Sequence, residues 1–208
     1  MGFKVMVREF KFAGKFEVIN LRTGEKAVAE GVFTRNLPRI LGALWRCLSD
    51  VVSGQEETVT VKDVDGNDVV IVVVGNKQAS GSTTSYGALE AIMATTAITI
   101  VVGAYFKLGS GTTSPTPEDY NLETEEVSGI ALANAVKEES SSTTIELTAS
   151  LTSPKAFTCS EVGLFMRILK GGENSTETVD ILIDRAVVSS VEFAENDPIA
   201  IRYALTFT

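Results

Sequence analysis

Carboxylates are the side chains through which this sequence could most readily do chemistry. It holds 27 Asp and Glu against 18 Lys and Arg, with no histidine in 208 residues. The missing imidazole removes Ser-His-Asp and Cys-His nucleophile systems, His-containing zinc sites and any histidine pH switch. The tract Asp63-Val64-Asp65-Gly66-Asn67-Asp68 gathers three carboxylates and an amide, as calcium loops do. An EF-hand needs glycine at its sixth position and glutamate at its twelfth, whereas here Gly66 is fourth and Val74 twelfth. A hairpin turn with solvated acids is the simpler reading, and Asp63, Asp65 and Asp68 are at most a weak metal candidate. Glu123, Glu125, Glu126, Glu138, Glu139, Glu146 and Glu161 could supply a carboxylate pair for glycoside chemistry. Nothing in their spacing sets two of them across a cleft, so a solvated acidic surface is expected.

Other motifs weaken on inspection. Gly109-Ser110-Gly111 suggests a phosphate loop, but no Gly-Lys-Ser/Thr follows, and Pro115 and Pro117 stand where a helix would begin. Cys47 and Cys159 form no CxxC pair and are read as buried thiols, with a disulfide as the alternative. Asn174-Ser175-Thr176 has the form of a glycosylation sequon, which means little without a secretory signal, and the alternating start of the chain does not look like one. Trp45, the sole tryptophan, is expected in the core. No cofactor is implied. The net charge of −9 argues against nucleic acid or an anionic membrane as partner. The apolar stretch over residues 91–106 is short for a membrane span and carries three threonines.

The elements that position these residues are mostly strands. Phe10, Phe12, Phe16 and Val18 fall at even spacings, and Arg22-Thr23-Gly24-Glu25 supplies a turn. Asn36 is a candidate N-cap for a helix over 37–50, where Leu37, Ile40, Leu41, Leu44, Trp45 and Leu48 make one apolar face. Residues 58–62 and 69–74 flank Asp65-Gly66-Asn67 as a hairpin whose second arm is apolar on both faces. A polar loop over 75–87, a short helix over 87–96 and β-type sequence over 97–108 follow, and then a surface loop over 109–117. Beyond it the pattern has period two: Ile145, Leu147, Ala149 and Leu151, then Ile199, Ile201, Tyr203, Leu205 and Phe207, alternate with polar or small residues. Two further strands, over 161–169 and 178–188, flank a tip at 170–175. The expected fold is mainly β, an antiparallel sandwich or jelly-roll-like domain over 76–208, with strands, helix and hairpin over 1–75, the two parts together forming one domain or two.

Three segments resemble a pattern found in small structural proteins of tailed phages and other viruses. The first runs from Phe106 through Gly109-Ser110-Gly111-Thr112-Thr113-Ser114-Pro115-Thr116-Pro117-Glu118-Asp119 to Leu122 and Glu123. The second is Ser160-Glu161-Val162-Gly163-Leu164-Phe165. The third passes from Asp184-Arg185-Ala186 through Val191, Asp197 and Pro198 into the terminal strand. The Asn36 helix resembles an upstream element of the same group, whereas the hairpin around Gly66 has no counterpart in it. The resemblance implies a non-enzymatic virion protein of a tail, fibre base or vertex, made in the host cytoplasm. Its partners would be copies of itself and other virion proteins, with no catalytic residues to carry over. Such a protein needs contact surfaces, and Val70, Val72, Val74, Ile201, Tyr203 and Phe207 are the candidate interface, with Ser110, Thr112 and Thr113 as loop contacts. The competing expectation is a carbohydrate- or receptor-binding adhesin module that uses the loops at 75–87 and 109–117.

Overall fold

Alternating burial turns the period-two segments into two stacked sheets. The computed structural model describes residues 12–49, 56–74, 101–132, 134–135, 144–170 and 177–207. The first sheet comprises β1 (Phe12–Asn20), β2 (Lys26–Glu30), β8 (Asn134–Ala135), β9 (Thr144–Thr152) and β12 (Pro198–Phe207), in the order β2-β1-β12-β9-β8. The second comprises β3 (Val32–Phe33), β6 (Val101–Gly109), β7 (Glu125–Ala131), β10 (Phe157–Leu169) and β11 (Thr178–Phe193), in the order β3-β11-β10-β6-β7. All of these pairs are antiparallel. The protein is mainly β, built as a sandwich; this strand order does not by itself establish a jelly roll.

The core lies where the inner faces meet. Leu147 and Ala149 of β9 and Ile199, Ile201 and Tyr203 of β12 are buried, while Glu146, Ser150 and Arg202 are exposed. Phe16 and Tyr203 come from the first sheet and Phe106 from the second, with ring centroids 4.7 to 6.5 Å apart. At that spacing aromatic pairs add to the burial that holds the sheets together. Because β1 pairs with β12, and β3 with β11, residues 12–33 belong to the same sandwich as the C-terminal strands. A boundary near residue 75 would cut both sheets.

The third unit is the hairpin of β4 (Glu56–Lys62) and β5 (Asp68–Val74), with α1 (Asn36–Ser49) packed against it. Its turn is the expected one. Asp63 Oδ1 accepts the N–H of Asp65 (3.0 Å) and of Asn67 (2.8 Å), and Gly66 takes φ +81°. Val69 and Ile71 are buried but Val70 is 54% exposed, so β5 is covered on one face there, not on both. The helix also matches, except for its cap. Asn36 is the first helical residue, and its amide clamps β4 instead: Lys62 N–H donates to Oδ1 (2.8 Å), and Nδ2 donates to Lys62 O (2.9 Å) and Leu182 O (3.2 Å). Residues 75–100, 136–143 and 171–176 lie outside the described residues. With them lie the expected loop at 75–87, the helix at 87–96, Glu138, Glu139 and the sequon at Asn174, as do the side chains of Leu44, Trp45, Cys47 and Leu48.

Candidate functional site

Burial along β11 is continuous from Ile181 to Ala186, and two charged residues lie inside that run. In a strand, neighbours point to opposite faces. Asp184 therefore enters the core between the sheets, and Arg185 points out of the second sheet. A strand buried on both sides needs a cover on its outer face. Here the loop over residues 110–124 and the tip of the β4–β5 hairpin provide it. Beneath them Tyr105, Leu122, Phe165 and Leu182 form a second small core with Val64 packed on it.

Glu161, on β10, is the centre of this outer layer and is fully buried. Its Oε1 accepts the N–H groups of Gly111 (3.0 Å) and Thr124 (2.8 Å). Its Oε2 accepts the N–H of Glu123 (3.1 Å) and two donors of Arg185, Nε at 3.0 Å and Nη2 at 2.8 Å. The remaining Arg185 nitrogen, Nη1, reaches Asp119 Oδ2 at 2.7 Å. Asp119 also accepts the N–H and hydroxyl of Thr116. Burial opposes ionisation of Asp119, but the Thr116 N–H and Arg185 outweigh it and hold the carboxyl below its ordinary range. Burial likewise opposes the charge on Arg185, and Asp119 and Glu161 more than restore it.

Glycines make this approach possible. A Cβ on Gly109 or Gly111 would lie 2.5 Å from Glu161 Oε1, inside any real contact distance. The Gly-x-Gly of the loop thus admits an internal carboxylate, not a phosphate. Glu123 closes the loop tip, accepting Thr112 N–H, Thr113 N–H and the Thr113 hydroxyl, each at 2.8 Å. Arg35 N–H donates to Pro117 O, Asn121 Nδ2 to Val64 O, and the Tyr120 ring covers Gly66. The loop is a folded layer, tied to both the sheet and the hairpin.

On the inner face Asp184 is fully buried. Tyr203 Oη, from the opposite sheet, donates to its Oδ2 at 2.8 Å. A separate polar knot sits at one end of the sandwich. Asp197 accepts from Asn20 Nδ2 (3.0 Å) and Ala194 N–H (2.9 Å) and pairs with Arg22 Nε (2.7 Å), joining the β1–β2 turn to the β11–β12 turn.

The expected contact residues fare unevenly. Ile201 and Tyr203 are 0% and 1% exposed in the centre of the sandwich, because even positions of β12, not odd ones, face outward; their side chains are not a surface. Nor is β12 an open edge, since β1 and β9 flank it. Phe207 pairs with Phe12, and its side chain, like those of Val72 and Val74, lies outside the described residues. Val70 is exposed. Ser110 is half-buried with its hydroxyl donated to Glu126, while the side chains of Thr112 and Thr113 are exposed above backbone already held by Glu123. In the acidic tract the Asp63 carboxylate is engaged by turn N–H groups, and Asp68 pairs with Lys62 at 3.0 Å. Of the glutamates expected on the surface, Glu161 is buried, and Glu125 and Glu126 pair with Lys107 and Lys155, each at 2.6 Å. Cys159 is a buried free thiol, pushed up to about 12 by burial.

The cluster can fix a loop. Both oxygens of its central carboxylate, Glu161, are already occupied by donors from the loop and from Arg185. Residue type alone does not point to Arg185, Asp119 or Asp184. The available signal was a charged pair, Asp184-Arg185, inside the apolar run Ile181-Leu182-Ile183 and Ala186-Val187-Val188, where a buried charge requires a partner.

No family model matches the chain, nor does any curated protein or solved structure.

Proposed function

We propose that this chain is a structural subunit of a virus particle. It would serve as an oligomeric component or adaptor at a tail, fibre base or vertex, working by protein–protein assembly without catalytic residues. One observation carries the reading. The three segments that resemble virion proteins lie far apart in the chain but meet in one cluster. Gly109, Gly111, Asp119 and Glu123 come from the first segment, Glu161 from the second and Arg185 from the third. Segments that build one structural unit would converge in this way, here on the neighbouring strands β6, β10 and β11, which supports reading the three together.

The chemistry favours the same reading. The carboxylates of Glu161, Asp119 and Glu123 are engaged in holding the loop, that of Asp63 the hairpin turn and that of Asp197 the strand turns. Contact would then come from outward surfaces such as the exposed Val70 arm and the tip of the clamped loop. Mass spectrometry of density-banded particles from the source culture tests this directly. Peptides of this chain should be recovered in fixed ratio to the major particle proteins; their presence only in the particle-free lysate would refute the assignment.

A further inference from the structure

Among the described residues, Asp184 differs from the other buried carboxylates in having no cation. Glu161 and Asp119 share Arg185, and Asp197 has Arg22. Asp184 projects to the other face of β11 from Arg185, into the apolar space between the sheets. Around it are Gly14 of β1, Gly31 just before β3, and Tyr203 of β12; a Cβ on either glycine would lie within 2.2 Å of a carboxyl oxygen. Its Oδ1 has no hydrogen-bond partner among the described residues, and Tyr203 is the one titratable side chain that acts on it. On its own strand and on β3 and β10 its immediate neighbours are Ile183, Phe33 and Leu164, with only the backbone N–H of Arg185 adding a polar contribution.

We propose that Asp184 is a proton-operated latch between the two sheets. As a neutral acid bonded to Tyr203 it ties β11 to β12; ionised, it leaves a lone negative charge in the core and loosens the sandwich. An ionised carboxylate in apolar surroundings, with one hydroxyl donor and no counter-ion, is strongly disfavoured. Burial, only partly offset by the Tyr203 hydrogen bond, pushes the Asp184 carboxyl up to about 7. The folded value lies above the unfolded one, so the latch is fully effective below about pH 4 and is lost as pH rises through about 7. With no histidine in the chain, no side chain has its ordinary pKa between about 5 and about 8.

Denaturant unfolding of the whole chain at several pH values between about 5 and about 8 tests the latch. The wild-type folding constant should fall by up to roughly tenfold per pH unit up to neutrality and then level off. Asp184→Asn, which carries no ionisable group, should remove that slope. Parallel pH profiles for the two proteins would overturn the proposal. Should the variant fail to fold, carbon-13 NMR of wild-type protein labelled at aspartate carboxyls decides the matter. One aspartate titrating near neutrality is the expected result, and all aspartates already ionised at about pH 5.5 is the contrary one.

Discussion

Glu161 accepts five hydrogen bonds, three from loop backbone and two from Arg185, with no exposure to solvent. Removing one member of such a buried pair typically costs 3–5 kcal/mol, and here Arg185 would keep only Asp119 as a close partner while three loop N–H groups lose their charged acceptor. Glu161→Gln should therefore lower the unfolding free energy by roughly 3–5 kcal/mol in urea titrations, and limited proteolysis should begin within residues 110–124. Gly111→Ala inserts a methyl 2.5 Å from both Glu161 Oε1 and Glu123 Cβ. It should cost about 1–3 kcal/mol by overpacking. This site was legible only in part. The Gly-x-Gly and the glutamates stood out as residues, but Glu161 read as one solvated acid among many. Its burial depends on a guanidinium from another strand and on a loop folding over both, and neither is encoded in local spacing.

At the scale of elements, alternation was a good guide wherever one face of a strand meets solvent. β9 and β12 follow their sequence pattern most clearly over residues 146–150 and 198–203. What alternation left open was which strands lie at the centre of a sheet, because that depends on pairing partners far along the chain. β12, expected to offer contacts, is instead the middle strand of its sheet. Ile201→Ala should cost about 2–5 kcal/mol, whereas Arg202→Ser, on the solvated side of the same strand, should stay within about 0.5 kcal/mol; thermal melts of the two variants check the contrast. β7 was hidden by its glutamates and by Gly129, which takes φ +68°. Asn36 shows the converse case, a residue type suited to capping but recruited for tertiary contact. Asn36→Ala leaves the Lys62 N–H unpaired and should cost about 1–3 kcal/mol. Amide hydrogen exchange should show lost protection at Lys62 before the sandwich strands are affected.

For the whole molecule, two opposing sets of carboxyls shape stability against pH. The Thr113 N–H and its hydroxyl hold Glu123 below the ordinary range, Lys155 does so for Glu126, and Arg167 for Asp180. In Asp119 and Asp197 burial is outweighed by N–H donors and arginines. These depressed values mean stability present above about pH 4 and lost as pH falls through the folded values. Asp184 acts in the opposite sense up to about 7. Tm measured across pH should therefore peak on the acid side of neutrality, and a peak above about pH 8 would contradict these assignments. The sandwich class was readable from composition and period, while the joining of residues 12–33 to the C-terminal strands was not, since sheet order depends on contacts nearly two hundred positions apart. Assembly is the claim on which the functional account rests, and size-exclusion chromatography with light scattering tests it most directly. The account predicts a mass that is a whole multiple of 22.2 kDa and persists on dilution. A 22.2 kDa monomer that stays soluble at high concentration would contradict it.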